Sequence, residues 1–141
     1  MQKTIKSKSH IYNEFQQLAN NYADPRIALE WHALLGRTNA EEDLKKLELI
    51  ESDILLDIGC GAGYHVIPAA KICEYVYGID ISEAMLSIAK KQIKRYKINN
   101  VNFYNSGFIS FDRKKLGINK AFSWGTLHHL PDFWKGEALR N

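Results

Sequence analysis

The sequence contains little cysteine, little proline and no long hydrophobic run. Its 141 residues include two cysteines and three prolines. Two cysteines are too few for the disulfide framework of a small secreted domain, and no Cys-x-x-Cys pair indicates a zinc site. The longest apolar stretches, such as residues 54–58, are far too short to span a bilayer, and the basic N-terminus leads into no apolar signal core. We therefore expect a cytoplasmic protein without a membrane partner or a bound metal.

Size and charge fit a single globular domain. The chain is 45% hydrophobic and 25% charged, and its formal net charge is +3. Much of the positive charge lies in residues 90–97, opposite the apolar side of a predicted helix. Aromatic residues do not alternate with these charges in the way that single-strand binding proteins use for base stacking. We interpret the basic residues as a solvated helix face, which does not favour a nucleic-acid partner.

Two regions of the chain differ in their pattern of apolar residues. Residues 1–50 predict an N-terminal helical segment, in which Asn39 and Glu42 form a capping-box pattern at the start of one helix. In residues 51–141, short apolar runs alternate with amphipathic stretches. Strands are predicted at 54–58, 75–80, 101–104 and 121–124, and helices at 64–72, with Pro68 near its first turn, and at 83–96, capped by Ser82. This alternation predicts an α/β fold, an open and mainly parallel sheet with helices on both faces.

A glycine-rich loop follows the first predicted strand. Gly59, Gly61 and Gly63 end that strand and open a helix. Glycine lets the backbone turn sharply and lets a ligand approach without meeting a Cβ atom. A structural turn would explain the three glycines equally well, so they do not assign a ligand by themselves.

Two acids flank this loop at the expected carboxyl edge of the sheet. Asp80 ends the second predicted strand. An acid at this sequence separation from the first glycine can accept hydrogen bonds from both hydroxyls of a ribose. Asp57 lies two residues before Gly59. Its carboxylate disfavours a pyrophosphate, and the spacing is G-x-G-x-G rather than the G-x-G-x-x-G of dinucleotide sites. The pattern favours S-adenosylmethionine, which carries an ammonium, a sulfonium and an adenosine, over a nicotinamide dinucleotide.

Three segments resemble motifs of the class I, Rossmann-like S-adenosylmethionine-dependent methyltransferases, especially their small-molecule branch. Residues 55–63 (LLDIGCGAG) resemble motif I, and residues 78–86 (GIDISEAML) resemble the segment that follows it. Residues 123–132 (SWGTLHHLPD) resemble the fourth-strand motif of the same group. The resemblance runs from about residue 53 to residue 140, and it implies methyl transfer to a small-molecule acceptor with S-adenosylmethionine as cofactor.

The resemblance also implies which residues bind the cofactor. Asp57 would orient the amino group, Asp80 would bind the ribose hydroxyls, and Ser123 would meet the methionine portion through its backbone. Ile81 and Met85 would pack on the adenine. The implied cofactor-binding residues are Asp57, Gly59, Cys60, Gly61, Gly63, Asp80, Ile81, Met85, Gly107, Phe108 and Ser123. Tyr12 or Tyr22 would close over the pocket, and no catalytic base is assigned.

Two features depart from the family pattern or carry no assigned chemistry. Phe108 stands where the family usually has an acid that receives the adenine amino group, so stacking on the purine is expected there instead. The adjacent His128 and His129 lack the further ligands that a metal site needs, and we interpret both as structural.

Only four of the seven strands in the family's sheet, whose order is 3-2-1-4-5-7-6, are recognisable in this sequence. Residues 121–124 would then form an exposed sheet edge, which favours pairing with another chain. Either the chain is a fragment, or a partner covers that edge, for instance in a homodimer. A non-catalytic S-adenosylmethionine-binding remnant is the alternative to an active enzyme.

Overall fold

The computed structural model describes residues 39–108 and 110–126, together with positions 24, 26, 30, 33, 135, 136, 139 and 140. Tyr12, Tyr22, His128 and His129 lie outside these residues, as do most positions of the predicted helices before residue 39. The elements in chain order are α1 (Ala40–Lys45), β1 (Ile54–Ile58), α2 (Val66–Ala70), β2 (Tyr75–Asp80), α3 (Glu83–Arg95), β3 (Val101–Asn105) and β4 (Lys120–Phe122).

The four strands form one sheet in the order β3-β2-β1-β4, and every neighbouring pair is parallel. This confirms the predicted open parallel sheet. Because β3 and β4 lie on opposite sides of the β2–β1 pair, the chain reverses its direction of winding at β1. The carboxyl ends of all four strands meet at one edge, which is where ligands bind in open α/β sheets.

The predicted helix starts are confirmed for α1 and α3. The Asn39 side chain accepts a hydrogen bond from the Glu42 N–H at 3.3 Å, while the Glu42 carboxylate pairs with Lys45 at 2.8 Å. The Ser82 hydroxyl accepts from the Met85 N–H at 3.2 Å and caps α3. The second helix is shorter than the predicted span of 64–72, and Pro68 is its third residue, in the first turn where no helical N–H is required.

Helices α2 and α3 cover one face of the sheet. Leu55, Val76 and Phe103 on this face share a core cluster with side chains of α2 and α3. Leu44 of α1 belongs to the same cluster, so the end of the predicted N-terminal segment packs on the sheet. The opposite face carries Leu56 and Ile79, and among the described residues Phe111, Leu116 and Ile118 from the connection between β3 and β4 pack against it. A second layer of helices on that face stays a prediction.

The fourth strand begins and ends earlier than predicted, at Lys120 and Phe122 rather than at 121 and 124. Lys120 can enter the strand because its ammonium group is neutralised at the start of the sheet. Its Nζ donates to the carbonyl oxygens of Leu47 at 3.0 Å and Glu48 at 2.8 Å, and it lies 3.0 Å from the carboxylate of Asp53. No helix among the described residues is long and apolar enough to cross a membrane.

Candidate functional site: the glycine loop and its two acids

The loop after β1 has a backbone that requires its glycines. Gly59, Gly61 and Gly63 have φ values of +74°, +54° and +83°, a backbone region that residues with a Cβ atom rarely adopt. The N–H groups of Gly59 and Cys60 both donate to the carbonyl oxygen of Ile79, at 2.8 and 3.0 Å. These bonds fix the start of the loop to the end of β2.

Asp80 joins the end of β2 to the glycine loop. Its Oδ2 atom accepts a hydrogen bond from the Gly61 N–H at 2.8 Å, and its Oδ1 atom accepts one from the Ser82 N–H at 2.8 Å. Burial raises the pKa of Asp80, and the N–H groups of Ser82, Gly61 and Ile81 act in the opposite direction. Because a carboxylate offers about four lone-pair sites, these three N–H groups leave Asp80 able to accept from a ligand hydroxyl.

Asp57 is a buried acid with an unsatisfied oxygen. The residue is 2% exposed, and its Oδ2 atom has no hydrogen-bond partner among the described residues. Burial, and secondly the charge of Asp80, raises the pKa of Asp57 to about 8. A buried carboxylate is costly unless it is paired, and unpaired buried polar atoms are rare in folded proteins. An ammonium group from a ligand would supply the missing partner.

Two residues that sequence analysis missed support these groups. The Asn105 side-chain amide, at the end of β3, donates to the carbonyl oxygens of Asp80 at 3.1 Å and Ile81 at 3.0 Å. An asparagine at a strand end is a known signal for a side-chain-to-backbone bond, but nothing in the sequence gives its target. The second is Thr126, whose side chain lies directly over Gly59 and leaves no room for a methyl group there. Its hydroxyl donates to the Trp124 carbonyl oxygen at 3.1 Å.

Two more predicted site residues pack beside the loop, and a third points away from it. Met85 is buried against Ala62 of the loop, and Ile81 is half-buried between Asp80 and α3. Cys60 is different, because its thiol belongs to the core cluster under the sheet, where it crowds Gly78. Burial raises the pKa of this thiol well above its ordinary value. The backbone of Cys60 is the part that helps shape the loop.

The remaining predicted site residues lie at the same edge of the sheet. Gly107 and Phe108 follow the end of β3, where the Gly107 N–H donates to the Ser110 hydroxyl at 3.0 Å and Phe108 is half-buried. Ser123 follows the end of β4 and is exposed. The structure thus brings the glycines, Asp57 and Asp80 into one cluster and places the other three on either side of it.

An open parallel sheet with a glycine loop held by an acid from the neighbouring strand is typical of Rossmann-like domains. Residues 55–141 match the family described as "Methyltransferase domain". The chain is 35% identical over 81 residues to a probable cobalt-precorrin-6B C(15)-methyltransferase (decarboxylating) of Methanocaldococcus jannaschii, over 57% of this chain and 44% of that relative. It is 30% identical over 125 residues to the 23S rRNA (uracil(1939)-C(5))-methyltransferase RlmD of Legionella pneumophila, over 83% of this chain and 27% of that relative.

Among solved structures, the fold is similar to that of an S-adenosylmethionine-dependent methyltransferase from Aquifex aeolicus. The TM-score is 0.67 at 25% identity, and the similarity covers 81% of this chain and 64% of that one. The chain therefore belongs to the methyltransferase-domain family. It spans less than half the length of the two curated relatives.

The described residues fit S-adenosylmethionine as a ligand. The Asp57 oxygen that has no partner among the described residues suits an ammonium group, and the remaining acceptor capacity of Asp80 suits a ribose hydroxyl. The positive φ values of Gly59, Gly61 and Gly63 give the loop between these two acids a tight turn that residues with a Cβ atom rarely adopt. A pyrophosphate would instead place its negative charge beside Asp57.

Proposed function

We propose that this chain is the cofactor-binding part of a methyltransferase that transfers a methyl group from S-adenosylmethionine to a small-molecule acceptor. The observation that carries the proposal is the buried Asp57 carboxyl group, whose Oδ2 has no partner in the described part of the chain, beside a glycine loop that Asp80 holds in place. Family membership supports the reaction class.

Each predicted residue has a role in this proposal. Asp57 holds the amino group of the methionine portion, and Asp80 holds the ribose. The glycines, together with the backbone of Cys60, pass close to the methionine portion, and Ser123 meets it from β4. The adenine lies among Ile81, Met85, Gly107 and Phe108.

When bound, S-adenosylmethionine supplies a methyl group on a sulfonium, which is an activated leaving group. The protein's contribution is then to orient the reactants and to exclude water, and a dedicated acid or base is not required. Asp57 contributes to this by fixing one end of the cofactor while Asp80 fixes the other. We assign no residue of this chain as a catalytic base.

A small-molecule acceptor is the proposal that the charge distribution favours. The two curated relatives act on different classes, one named for cobalt-precorrin-6B and the other for 23S rRNA. In this chain the exposed cations of α3, from Lys90 to Arg95, lie about 12–20 Å along the helix from Ser82 and the cofactor loop. RNA held by these cations would be remote from the methyl group.

Three further expectations belong to the same proposal. The two cysteines are free and buried, which suits the reducing cytoplasm. The division into a helical segment (1–50) and a cofactor-binding domain (51–141) is retained. Among the described residues β4 pairs with β1 alone, which supports a homodimer joined at that edge.

Two experiments test the proposal. The first is calorimetric titration of the chain with S-adenosylmethionine, S-adenosylhomocysteine and NAD, which tests the cofactor. The second measures transfer of a labelled methyl group to a panel of small molecules and to RNA, which tests the reaction. We expect binding of the first two ligands and transfer to a small molecule. Tighter binding of NAD would instead support an oxidoreductase. Cofactor binding without transfer to any acceptor would support the non-catalytic alternative.

A further inference from the structure

The His65 ring lies where three elements around the cofactor loop meet. His65 follows Gly63 by two residues and is 6% exposed. Its Nε2 atom lies 2.9 Å from Oδ2 of Asp43, which is on α1. Since a carboxylate can only accept a hydrogen bond, Nε2 carries the proton and donates it to Asp43. This bond connects α1 to the segment that directly follows the glycine loop.

The other side of the same ring contacts the end of β4. The ring centroids of His65 and Phe122 are 4.9 Å apart, and those of His65 and Trp124 are 5.8 Å apart. Phe122 lies opposite Asp57 in the β1–β4 register. Trp124 begins the turn that places Thr126 over Gly59. The ring, which belongs to the segment after β1, therefore packs against the end of β4 and the residues that follow it.

We propose that Asp43 is a positioning residue for the cofactor site and acts through His65. By fixing the orientation of the imidazole, Asp43 sets the distance between the glycine loop and the end of β4. Helix α1, which lies in the predicted N-terminal segment, is thereby part of the cofactor-binding machinery rather than only a cover. The effect on cofactor affinity rests on the function proposed above, whereas the effect on the loop does not.

Charge placement on α1 supports this role for Asp43. The first turn of the helix contains three acids, of which Glu41 and Glu42 are exposed. The Asp43 side chain is only 24% exposed, although a solvated position would avoid the cost of partial burial. The hydrogen bond from a 7% exposed imidazole compensates that cost, and it requires this acid at this one position of the helix.

The test compares Asp43→Ala, Asp43→Asn and the control Glu41→Ala in the full chain. Calorimetry with S-adenosylhomocysteine should show about tenfold weaker binding for Asp43→Ala, because the ring loses its orientation. Asp43→Asn should stay within about threefold of the parent chain, since the amide oxygen still accepts from Nε2. Glu41→Ala removes the same charge from the same helix and should bind normally.

Nuclear magnetic resonance provides a measurement that does not need the cofactor. The amide signals of Gly61 and Gly63 should move in Asp43→Ala and keep their positions in Glu41→Ala. In a His65→Phe background, Asp43→Ala should cause no further loss of affinity, because the two residues act as one unit. Fully additive losses, or normal affinity with unmoved glycine signals in Asp43→Ala, would overturn the proposal. If the parent chain binds no S-adenosylhomocysteine, the proposed function fails, while the glycine signals still decide the role of Asp43.

Discussion

The Gly61 N–H donates a hydrogen bond to Oδ2 of Asp80 at 2.8 Å, across 19 residues of sequence. The acid assigned to the ribose is therefore also a support of the glycine loop. The same carboxylate receives the Ser82 N–H, just before α3 begins. Loss of this one side chain should consequently affect both the ligand contact and the shape of the loop.

Replacing Asp80 with alanine should weaken binding of S-adenosylhomocysteine by about tenfold or more. The variant loses the acceptor for the ribose, and hydrogen bonds to a charged group are typically worth about 1.5–3 kcal/mol each. Two N–H groups also lose their partner, so the free energy of unfolding should fall. Calorimetry and urea unfolding measure the two effects. Glu74→Ala, an exposed acid just before β2, is the control, and unchanged affinity in Asp80→Ala would contradict the placement of the ribose.

Binding of the cofactor should depend on pH through Asp57. Because the pKa of Asp57 is raised to about 8, the carboxyl is protonated at neutral pH in the free protein. It must lose that proton to hold an ammonium group, so affinity for S-adenosylhomocysteine should rise with pH up to about 8. Calorimetry in buffers of different ionisation enthalpy should show proton release from the protein. The Asp57→Asn variant should bind weakly and lose this release, and equal proton release in both proteins would contradict the assignment.

The same shift determines how Asp57 affects stability. Its folded pKa lies above the unfolded value of about 3.9, so the folded state binds the extra proton in between. The contribution of Asp57 to stability is therefore complete below about pH 4 and is lost as the pH rises to about 8. Asp57→Asn carries no such loss. The free energy of unfolding of Asp57→Asn should therefore increase relative to that of the parent chain as the pH rises across this range. Urea titrations at several pH values can measure this difference.

Much of the fold follows from local sequence signals. The spans of β1 and β2 match the predicted ranges because the apolar run of β1 stops at the glycine loop and that of β2 stops at Asp80. The Ser82 cap is local as well. By contrast, the bond between Asp43 and His65 joins residues 22 positions apart, and no periodicity or motif predicts such a pairing. The early start of β4 likewise depends on Lys120 finding Asp53, which only the folded chain brings together.

The site shows the same division. The motif predicts that Asp57, Asp80 and the glycines are close, because the carboxyl ends of neighbouring parallel strands meet. It does not show that Oδ2 of Asp57 lacks a partner within residues 39–108 and 110–126, since that depends on every neighbour of the side chain. Thr126 was missed for a related reason, because its position over Gly59 results from the path of the chain after β4.

Replacing Gly59 with alanine should destabilise the chain more than the same change at Gly125. Both residues have positive φ values, +74° and +66°, so both variants incur a backbone cost of about 1–2 kcal/mol. A methyl group at Gly59 would in addition overlap the Thr126 side chain, whereas the space around Gly125 is open. Urea unfolding should therefore separate the two variants. Adding Thr126→Gly to Gly59→Ala should recover the difference, and equal stability of the two single variants would show that Thr126 adapts at no cost.

The edge of the sheet at β4 presents backbone groups that have no strand partner among the described residues. The Asn119 N–H donates to the Ile54 carbonyl oxygen at 3.1 Å, so the alternation of a parallel ladder directs the Ala121 N–H to β1 as well. The N–H groups of Lys120 and Phe122 then point to the other side, where no strand lies among the described residues. Pairing with a second copy would satisfy these groups, and a two-fold axis would make the added strand antiparallel.

We therefore expect a homodimer or higher oligomer whose proportion increases with concentration. Proline at Ala121 would be a poor probe, because it would break a bond to β1 rather than one at the free side. Ala121→Lys is better, since the residue is exposed and a lysine on an edge strand discourages pairing. Ser87→Lys on the exposed side of α3 is the control. Light scattering should show a monomer for Ala121→Lys and an oligomer for the parent and the control. A parent chain that stays monomeric at about 200 µM would mean that the chain itself covers the edge.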